Sequence, residues 1–282
     1  MHVFQHTGFC PICEHQTTFT AQFEWFRDHL RCSDCHSIPR ERALFKTITD
    51  YFPNYRDLDI HETSPSACGA SIKLHQECKS YSASQFFINT PLGSIHQNGY
   101  RCEDIENLTF SDNSFDLFVS QDVMEHILDP EKAFKEIARV LKPGGLHIFT
   151  APLIKKTQAS ERRASRSSDG TIIHHHEAEY HGNPIDEKGS LVAMHWGYDI
   201  ASFIMDVAKT PTIIVQIDNI NNGIRAEYID VLVSCKPKKI LQNKSGAIIS
   251  VNGNSRIIFD VSVRFFYTVC LIFTVKQSKG DK

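Results

Sequence analysis

The 282-residue sequence has almost no charge imbalance: 30 Lys and Arg stand against 33 Asp and Glu, a formal net charge of −3. No global basic field is present, so a nucleic-acid partner would need a local patch. Long apolar runs are missing too. The most apolar stretch, Phe265 to Val275, is eleven residues long, whereas a membrane-spanning helix needs about 20. It reads as buried or peripheral, and no transmembrane segment is expected. The N-terminus, Met1-His2-Val3-Phe4-Gln5-His6, lacks a basic region followed by an apolar one, so no secretory leader is read there. A cytoplasmic location is expected, where thiols stay reduced and a disulfide framework has no place. An apolar share of 41% with 22% charged residues excludes wholesale disorder.

What the chain has in excess is metal-binding side chains, with nine cysteines and fifteen histidines. Four cysteines form two pairs, Cys10-Pro-Ile-Cys13 and Cys32-Ser-Asp-Cys35, separated by eighteen residues. That spacing matches a four-cysteine zinc site, in which each pair makes a tight turn aiming two thiolates at one point. With sulfur at all four positions no coordination site stays open for water, so zinc on Cys10, Cys13, Cys32 and Cys35 is expected to be structural. Cys32-Ser-Asp-Cys35-His36 also spells a c-type haem attachment motif, but haem would require export and would leave the first pair unexplained. A redox Cys-x-x-Cys has no use for a duplicated pair. Thr17 to Phe26 reads as a ribbon strand or hairpin between the pairs. Cys68, Cys78, Cys102, Cys235 and Cys270 are scattered and read as packing residues.

Pro39 suits the first position of a helix, with Leu44, Phe45 and Ile48 as its apolar stripe. Residues 39–55 are expected to link a zinc ribbon at 1–38 to the main domain, with Arg40 and Arg42 on a solvated face. From Arg56 strands and helices alternate. Arg56–Glu62, Lys79–Ser84, Tyr100–Glu103, Phe115–Ser120 and Leu146–Thr150 read as strands. One helix is expected to start at Ser64-Pro65-Ser66 and run through Ile72 and Leu74. Another opens at Asp129-Pro130-Glu131 and buries Phe134, Ile137, Ala138 and Leu141 before Lys142-Pro143-Gly144-Gly145 stops it. Thr212–Asp218 and Ala226–Cys235 add a last pair of strands. The alternation implies an α/β fold, a doubly wound and mostly parallel sheet that binds ligands at its carboxyl edge. Residues 238–282 form a tail with no assigned role, in which Asn252-Gly253 suggests a hairpin turn.

Two segments carry a resemblance: Asn107 to His126, containing Phe115-Asp116-Leu-Phe-Val and Val123-Met124-Glu125-His126, and Ala133 to Gly145, ending Arg139-Val-Leu-Lys-Pro-Gly-Gly. In order, spacing and composition they resemble class I S-adenosylmethionine-dependent methyltransferases of the type 11 kind. The resemblance implies a Rossmann-like seven-stranded sheet over residues 56–237, S-adenosylmethionine as cofactor, and methyl transfer as the activity. It also implies cofactor positions. The family's first strand ends in a glycine-rich turn, but here His61, Thr63 and Pro65 stand where glycines would. His61, Glu62 and Thr63 are therefore the implied loop, with Glu62 taking the cofactor's ammonium group; the same departure is consistent with lost cofactor binding. Ser84 and Gln85 stand where an acid would hold the ribose, and Asp104, with the Ile105 backbone beside it, matches the adenine contact. Gln121 matches the position where the chain passes the sulfonium.

Methyl transfer is an in-line displacement in which positioning does much of the work and a base helps if the nucleophile must lose a proton. His126 stands in the right neighbourhood for such a base. The long segment from Leu153 to Gly197 corresponds to an insertion that in this fold covers the acceptor. It carries Lys155, Lys156, Arg162, Arg163 and Arg166, then His174-His-His-Glu-Ala-Glu-Tyr-His-Gly-Asn-Pro184. The histidine run lacks the His-Glu-x-x-His spacing of a two-ligand helix face. Tyr180, His181, His195 and Trp196 are expected to face a small polar acceptor, saccharide-like or another metabolite. Two alternatives remain open from sequence: a zinc-ribbon RNA methyltransferase, and a non-catalytic zinc-binding protein with a degenerate methyltransferase domain.

Overall fold

One seven-stranded sheet organises the chain in the computed structural model, which describes residues 3–182 and 188–238. Ahead of it, β1 (Phe4–Cys10), β2 (His15–Ala21) and β3 (Arg31–Cys32) make a small antiparallel sheet, with a single turn of helix, α1 (Phe26–His29), before β3. Helix α2 (Pro39–Tyr51) follows. The large sheet then alternates β4 (Asp59–Thr63), α3 (Gly69–Glu77), β5 (Ser80–Gln85), β6 (Arg101–Cys102), β7 (Phe115–Gln121), α4 (Pro130–Val140) and β8 (Leu141–Thr150). Past the insertion come α5 (Ile200–Ala208), β9 (Thr212–Val215) and β10 (Val231–Cys235). Strand order is β9-β10-β8-β7-β4-β5-β6. The five strands from β4 to β8 pair in parallel, and β10 and β9 close the sheet antiparallel. Doubly wound connections leave both faces of the central strands buried, which explains the apolar run of β7, whereas β4 buries the polar His61, Glu62 and Thr63.

Successive residues serve opposite faces. Leu117 and Val119 of β7, Ile148 of β8 and Val231 and Val233 of β10 pack on one side with Leu44, Phe45 and Ile48 of α2 and Leu74 of α3. Phe118, Phe149 and Leu232 pack on the other with Phe134 and Ile137 of α4 and Ile200 and Ile204 of α5. The first cluster continues into the small sheet through Cys10, Ile12, Phe19, Leu30 and Cys32, so the two sheets share one core. Helix α2 is a covering layer of the large sheet rather than a free connection.

Several elements sit differently from their expected positions. The hairpin β1–β2 brackets the first cysteine turn, so only one of its strands falls between the pairs. Helix α3 starts at Gly69, not at Ser64: Ser64 has φ 53° and Gly69 φ 60°, so the chain must turn before it can wind. A Cβ at Gly69 would come within 2.7 Å of the Glu41 carboxylate, which docks this turn on α2. Helix α4 begins with the Asp129 carboxylate accepting from the Lys132 N–H at 3.1 Å and ends at Val140. Beyond it, Lys142-Pro143-Gly144-Gly145 is already part of β8, across a register shift opposite Phe115 and Leu117. Among the described residues no helix is long and apolar enough to cross a membrane. Phe265–Val275, Cys270, Asn252-Gly253 and Asn183-Pro184 lie outside the described residues.

Candidate active site and four-cysteine centre

The two cysteine turns face one another. Cys10 Sγ lies 3.9 Å from Cys35 Sγ, Cys13 Sγ lies 3.7 Å from Cys32 Sγ, and all four sulfurs fall within 4.8 Å of one another. Zinc–sulfur bonds of about 2.3 Å in a tetrahedron separate sulfurs by about 3.8 Å, so the donor set fits such an ion. The Cys13 N–H points at Cys10 Sγ at 3.5 Å, and the Thr17 hydroxyl lies 3.6 Å from Cys32 Sγ.

Beside this centre Arg42 is fully buried, contrary to the expected solvated face. Its guanidinium donates to the Leu30 carbonyl at 2.8 Å, to the Ser37 carbonyl and hydroxyl, and to the Gly223 carbonyl at 2.6 and 3.0 Å, while lying over the Phe19 ring. Burial pulls it down to about 10, against the attraction of the cysteine sulfurs. Every donor direction is used, and the side chain ties the ribbon to the loop before β10.

The carboxyl edge of the large sheet holds a second polar group. Glu62, at the end of β4, accepts from the Ser71 hydroxyl at 2.7 Å, the Tyr81 hydroxyl at 2.7 Å and the Gln121 amide at 3.0 Å. Burial pushes its carboxyl up, opposed by those three bonds. Next to it a cleft of about 240 Å³ opens between the turn before α3 and β5, lined by Pro65, Ser66, Ser71, Tyr81, Ala83 and Tyr100.

Where β7 ends, Asp122 adopts φ 51° and its carboxylate accepts from the Thr150 hydroxyl at 2.9 Å. Arg27 of α1 reaches Asp122 at 2.5 Å and Arg40 of α2 at 3.1 Å, so Arg40 too is an ion-pairing residue and not a solvated one. Burial opposes ionisation of Asp122, but Arg40 and Arg27 outweigh it and hold the carboxyl down at about 2. Three residues on, Glu125 is buried and neither of its carboxylate oxygens has a hydrogen-bond partner. Burial first, and then the Asp122 charge, push it well above the usual range. Its backbone carbonyl accepts from Ala193 and Met194, which brings the insertion against this edge. His126 directs Nδ1 at the Leu191 carbonyl at 2.9 Å, and its ring meets that of His181 edge-on at 5.3 Å.

The implied site residues therefore separate into two groups. Glu62 and Gln121 meet at the edge, and Glu125, which sequence reasoning passed over, joins His126 and His181 there. His61 turns into the opposite face, between the Ser82 and Ser84 hydroxyls at 2.9 Å each and the rings of Phe110, Phe115 and Phe118. Ser84 is committed to that pair. Thr63 is buried at the end of β4, and Gln85 accepts the Glu103 N–H through its carbonyl. The Asp104 carboxylate turns back on the Glu106 N–H at 2.9 Å, with Ile105 buried beside it. Glu103, also unremarked in the sequence, anchors this loop through Arg101, the Thr109 N–H and the Thr109 hydroxyl. In the insertion Tyr180 is exposed and His195 holds Glu179 at 2.9 Å. Trp196 faces no substrate: it is fully buried against Phe134 and Phe203 and donates to the Met124 carbonyl at 3.1 Å.

A family model described as a methyltransferase domain matches residues 74–149, from the middle of α3 to the end of β8. The matched stretch is similar to the class I S-adenosylmethionine-dependent methyltransferases. The match starts after the glycine-poor turn at 61–66, where the sequence departs from the family pattern. A ubiquinone biosynthesis O-methyltransferase of Parvibaculum lavamentivorans is 31% identical over 118 residues, covering 38% of this chain and 44% of that one. Another ubiquinone biosynthesis O-methyltransferase, from Coxiella burnetii, is 39% identical over 51 residues, which are 18% of this chain and 22% of its own. The chain thus spans less than half the length of these curated relatives. Among solved structures, an S-adenosylmethionine-dependent methyltransferase from Mesorhizobium loti superposes with a TM-score of 0.45 at 13% identity, covering 68% of this chain and 97% of that one.

Proposed function

We propose that the protein transfers the methyl group of S-adenosylmethionine to a small polar acceptor, saccharide-like or another metabolite, and that its four-cysteine centre holds zinc. The observation that carries this reading is the convergence of Glu62, Gln121, Glu125 and His126 at the carboxyl edge of a domain whose family takes that cofactor. In this reading Glu62 and Gln121 receive the cofactor's charged methionine end, and Asp104 with the Ile105 backbone meets its adenine. The acceptor's nucleophilic atom forms a bond to the methyl carbon, and the carbon–sulfur bond breaks with its electron pair left on sulfur. Glu125, His126 and His181 govern the loss of the acceptor's proton, and Tyr180 lies on the flank that the acceptor approaches. Zinc would hold the two cysteine turns together and so fix α1, whose Arg27 reaches Asp122.

Lys155, Arg163 and Arg166 are tied to Glu161, Glu179 and Glu106, which supports a small acceptor over an RNA strand. One observation favours a second reading, a domain that has lost its cofactor: the Ser84 hydroxyl at the ribose position is spent on His61. Calorimetric titration of the zinc-loaded chain with S-adenosylmethionine and with its demethylated product separates the two. Binding is expected, and Asp104→Ala should weaken it. No heat at millimolar ligand would leave only the non-catalytic reading standing.

A further inference from the structure

The Glu125, His126 and His181 side chains lie close enough for one ligand atom from each to sit within 4.8 Å of the others. The arrangement is chemically incomplete. His126 Nδ1 faces the Leu191 carbonyl, which only accepts, so that nitrogen carries the proton and Nε2 keeps its lone pair. Nε2 in turn lies 3.8 Å from Glu125 Oε1. With Glu125 ionised, two electron-pair donors face one another across a gap too long for a direct hydrogen bond. The Glu125 side chain is 2% exposed and both its oxygens lack a hydrogen-bond partner, which normally costs more than a fold tolerates. Something electropositive belongs in the gap.

We infer that Glu125, His126 and His181 form a binding site for a divalent first-row transition-metal ion at the catalytic edge, separate from the four-cysteine centre. Two bonds of about 2.0–2.2 Å span the 3.8 Å between Glu125 and His126. The contact from His126 Nδ1 to a backbone carbonyl is the arrangement that orients a metal-binding imidazole and fixes its tautomer. His181, with its side chain 41% exposed, keeps Nε2 3.4 Å from Glu179 Oε1, a contact it exchanges for the ion. One carboxylate and two imidazoles suit zinc, manganese or ferrous iron, and three protein ligands leave positions open, as in a catalytic rather than a structural site.

What the ion does there rests on the methyl-transfer reading. An acceptor hydroxyl takes an open position and releases its proton to water. Its oxygen then forms the bond to the methyl carbon while the carbon–sulfur pair stays on sulfur. This deepens the acceptor class to oxygen nucleophiles.

Co²⁺ added to the zinc-loaded full chain tests the site. Zinc holds the four thiolates against cobalt, so the new site should take up one equivalent and show visible absorption without a thiolate-to-cobalt charge-transfer band. Glu125→Gln and His181→Ala should each weaken uptake at least about tenfold while leaving zinc content and thermal midpoint in place. No saturable uptake, or uptake indifferent to both substitutions, overturns the inference. S-adenosylmethionine titration of the same samples keeps the two readings apart. Cofactor binding without cobalt uptake removes the ion alone, and cobalt uptake without cofactor binding removes methyl transfer alone.

Discussion

Two buried polar regions lie on the same molecule and are finished to different degrees. At the seam between ribbon and sheet, Arg42 is fully buried and each of its donors meets a carbonyl or hydroxyl oxygen. At the carboxyl edge, Gln121 keeps one amide oxygen and Glu125 keeps both carboxylate oxygens without a partner. Satisfied polar burial locks one arrangement in place, whereas unsatisfied burial calls for a water, an ion or a ligand to complete it. The contrast separates a completed seam from an incomplete edge, where the proposed site lies.

The largest way to break that contrast is Arg42→Met. It leaves the Leu30, Ser37 and Gly223 carbonyls without their donor and should destabilise the fold by about 3–5 kcal/mol, read as the denaturant midpoint at constant zinc. A loss below 1 kcal/mol would mean water or a neighbour completes the seam as readily. Gly223→Ala approaches the seam from the other side. Gly223 has φ +64°, and a Cβ there would sit 2.6 Å from the Phe19 ring and 2.8 Å from Arg42 Nε. A cost of about 2–4 kcal/mol is expected, visible as a fall in thermal midpoint.

His147 sharpens the comparison from the core. It donates or accepts at Ser120 Oγ at 3.0 Å, stacks on Phe149, and is pushed down to about 3 by burial. Between that value and the ordinary histidine pKa near 6.5, the unfolded chain binds the proton that the folded chain refuses. Stability therefore falls as pH drops through that window. His147→Phe should flatten the slope by about 1.4 kcal/mol per pH unit, measured as unfolding free energy at fixed zinc from pH 6.5 downwards. His61, also pushed down to about 3 by burial, keeps a comparable slope in that variant. The smallest effect on stability belongs to Glu125→Gln. Replacing a buried carboxyl that has no partner should leave the midpoint within about 1 kcal/mol of the parent, while the proposed methyl transfer should fall by orders of magnitude. A destabilisation as large as that of Arg42→Met would show that Glu125 is architecture after all.

Local signals in the sequence carried far. The paired cysteines, Pro39 at the head of α2, the Asp129-Pro130 cap of α4 and the apolar run of β7 each fix their element within a few residues. Side-chain direction carried less well. In a sheet buried on both faces the sequence does not alternate, so nothing local tells that His61 turns to the phenylalanines while Glu62 turns to the edge. Arg40 and Arg42 look like a solvated helix face because their partners, Asp122 and Gly223, lie far along the chain. Trp196 sits in a polar insertion yet fills the core beneath it. Glu125 was hidden in plain view beside a motif histidine, since only its missing partners single it out.

The bond between Arg42 and the Gly223 carbonyl also sets an order of events. The ribbon precedes the sheet in the chain, and its cysteines can gather while the sheet is still being made. Its seam with the sheet cannot close until residue 223 has emerged, a separation of 181 residues. The ribbon thus waits on a later segment for its fastening, and until then Arg42 has only the Leu30 and Ser37 oxygens of its own neighbourhood to hold it.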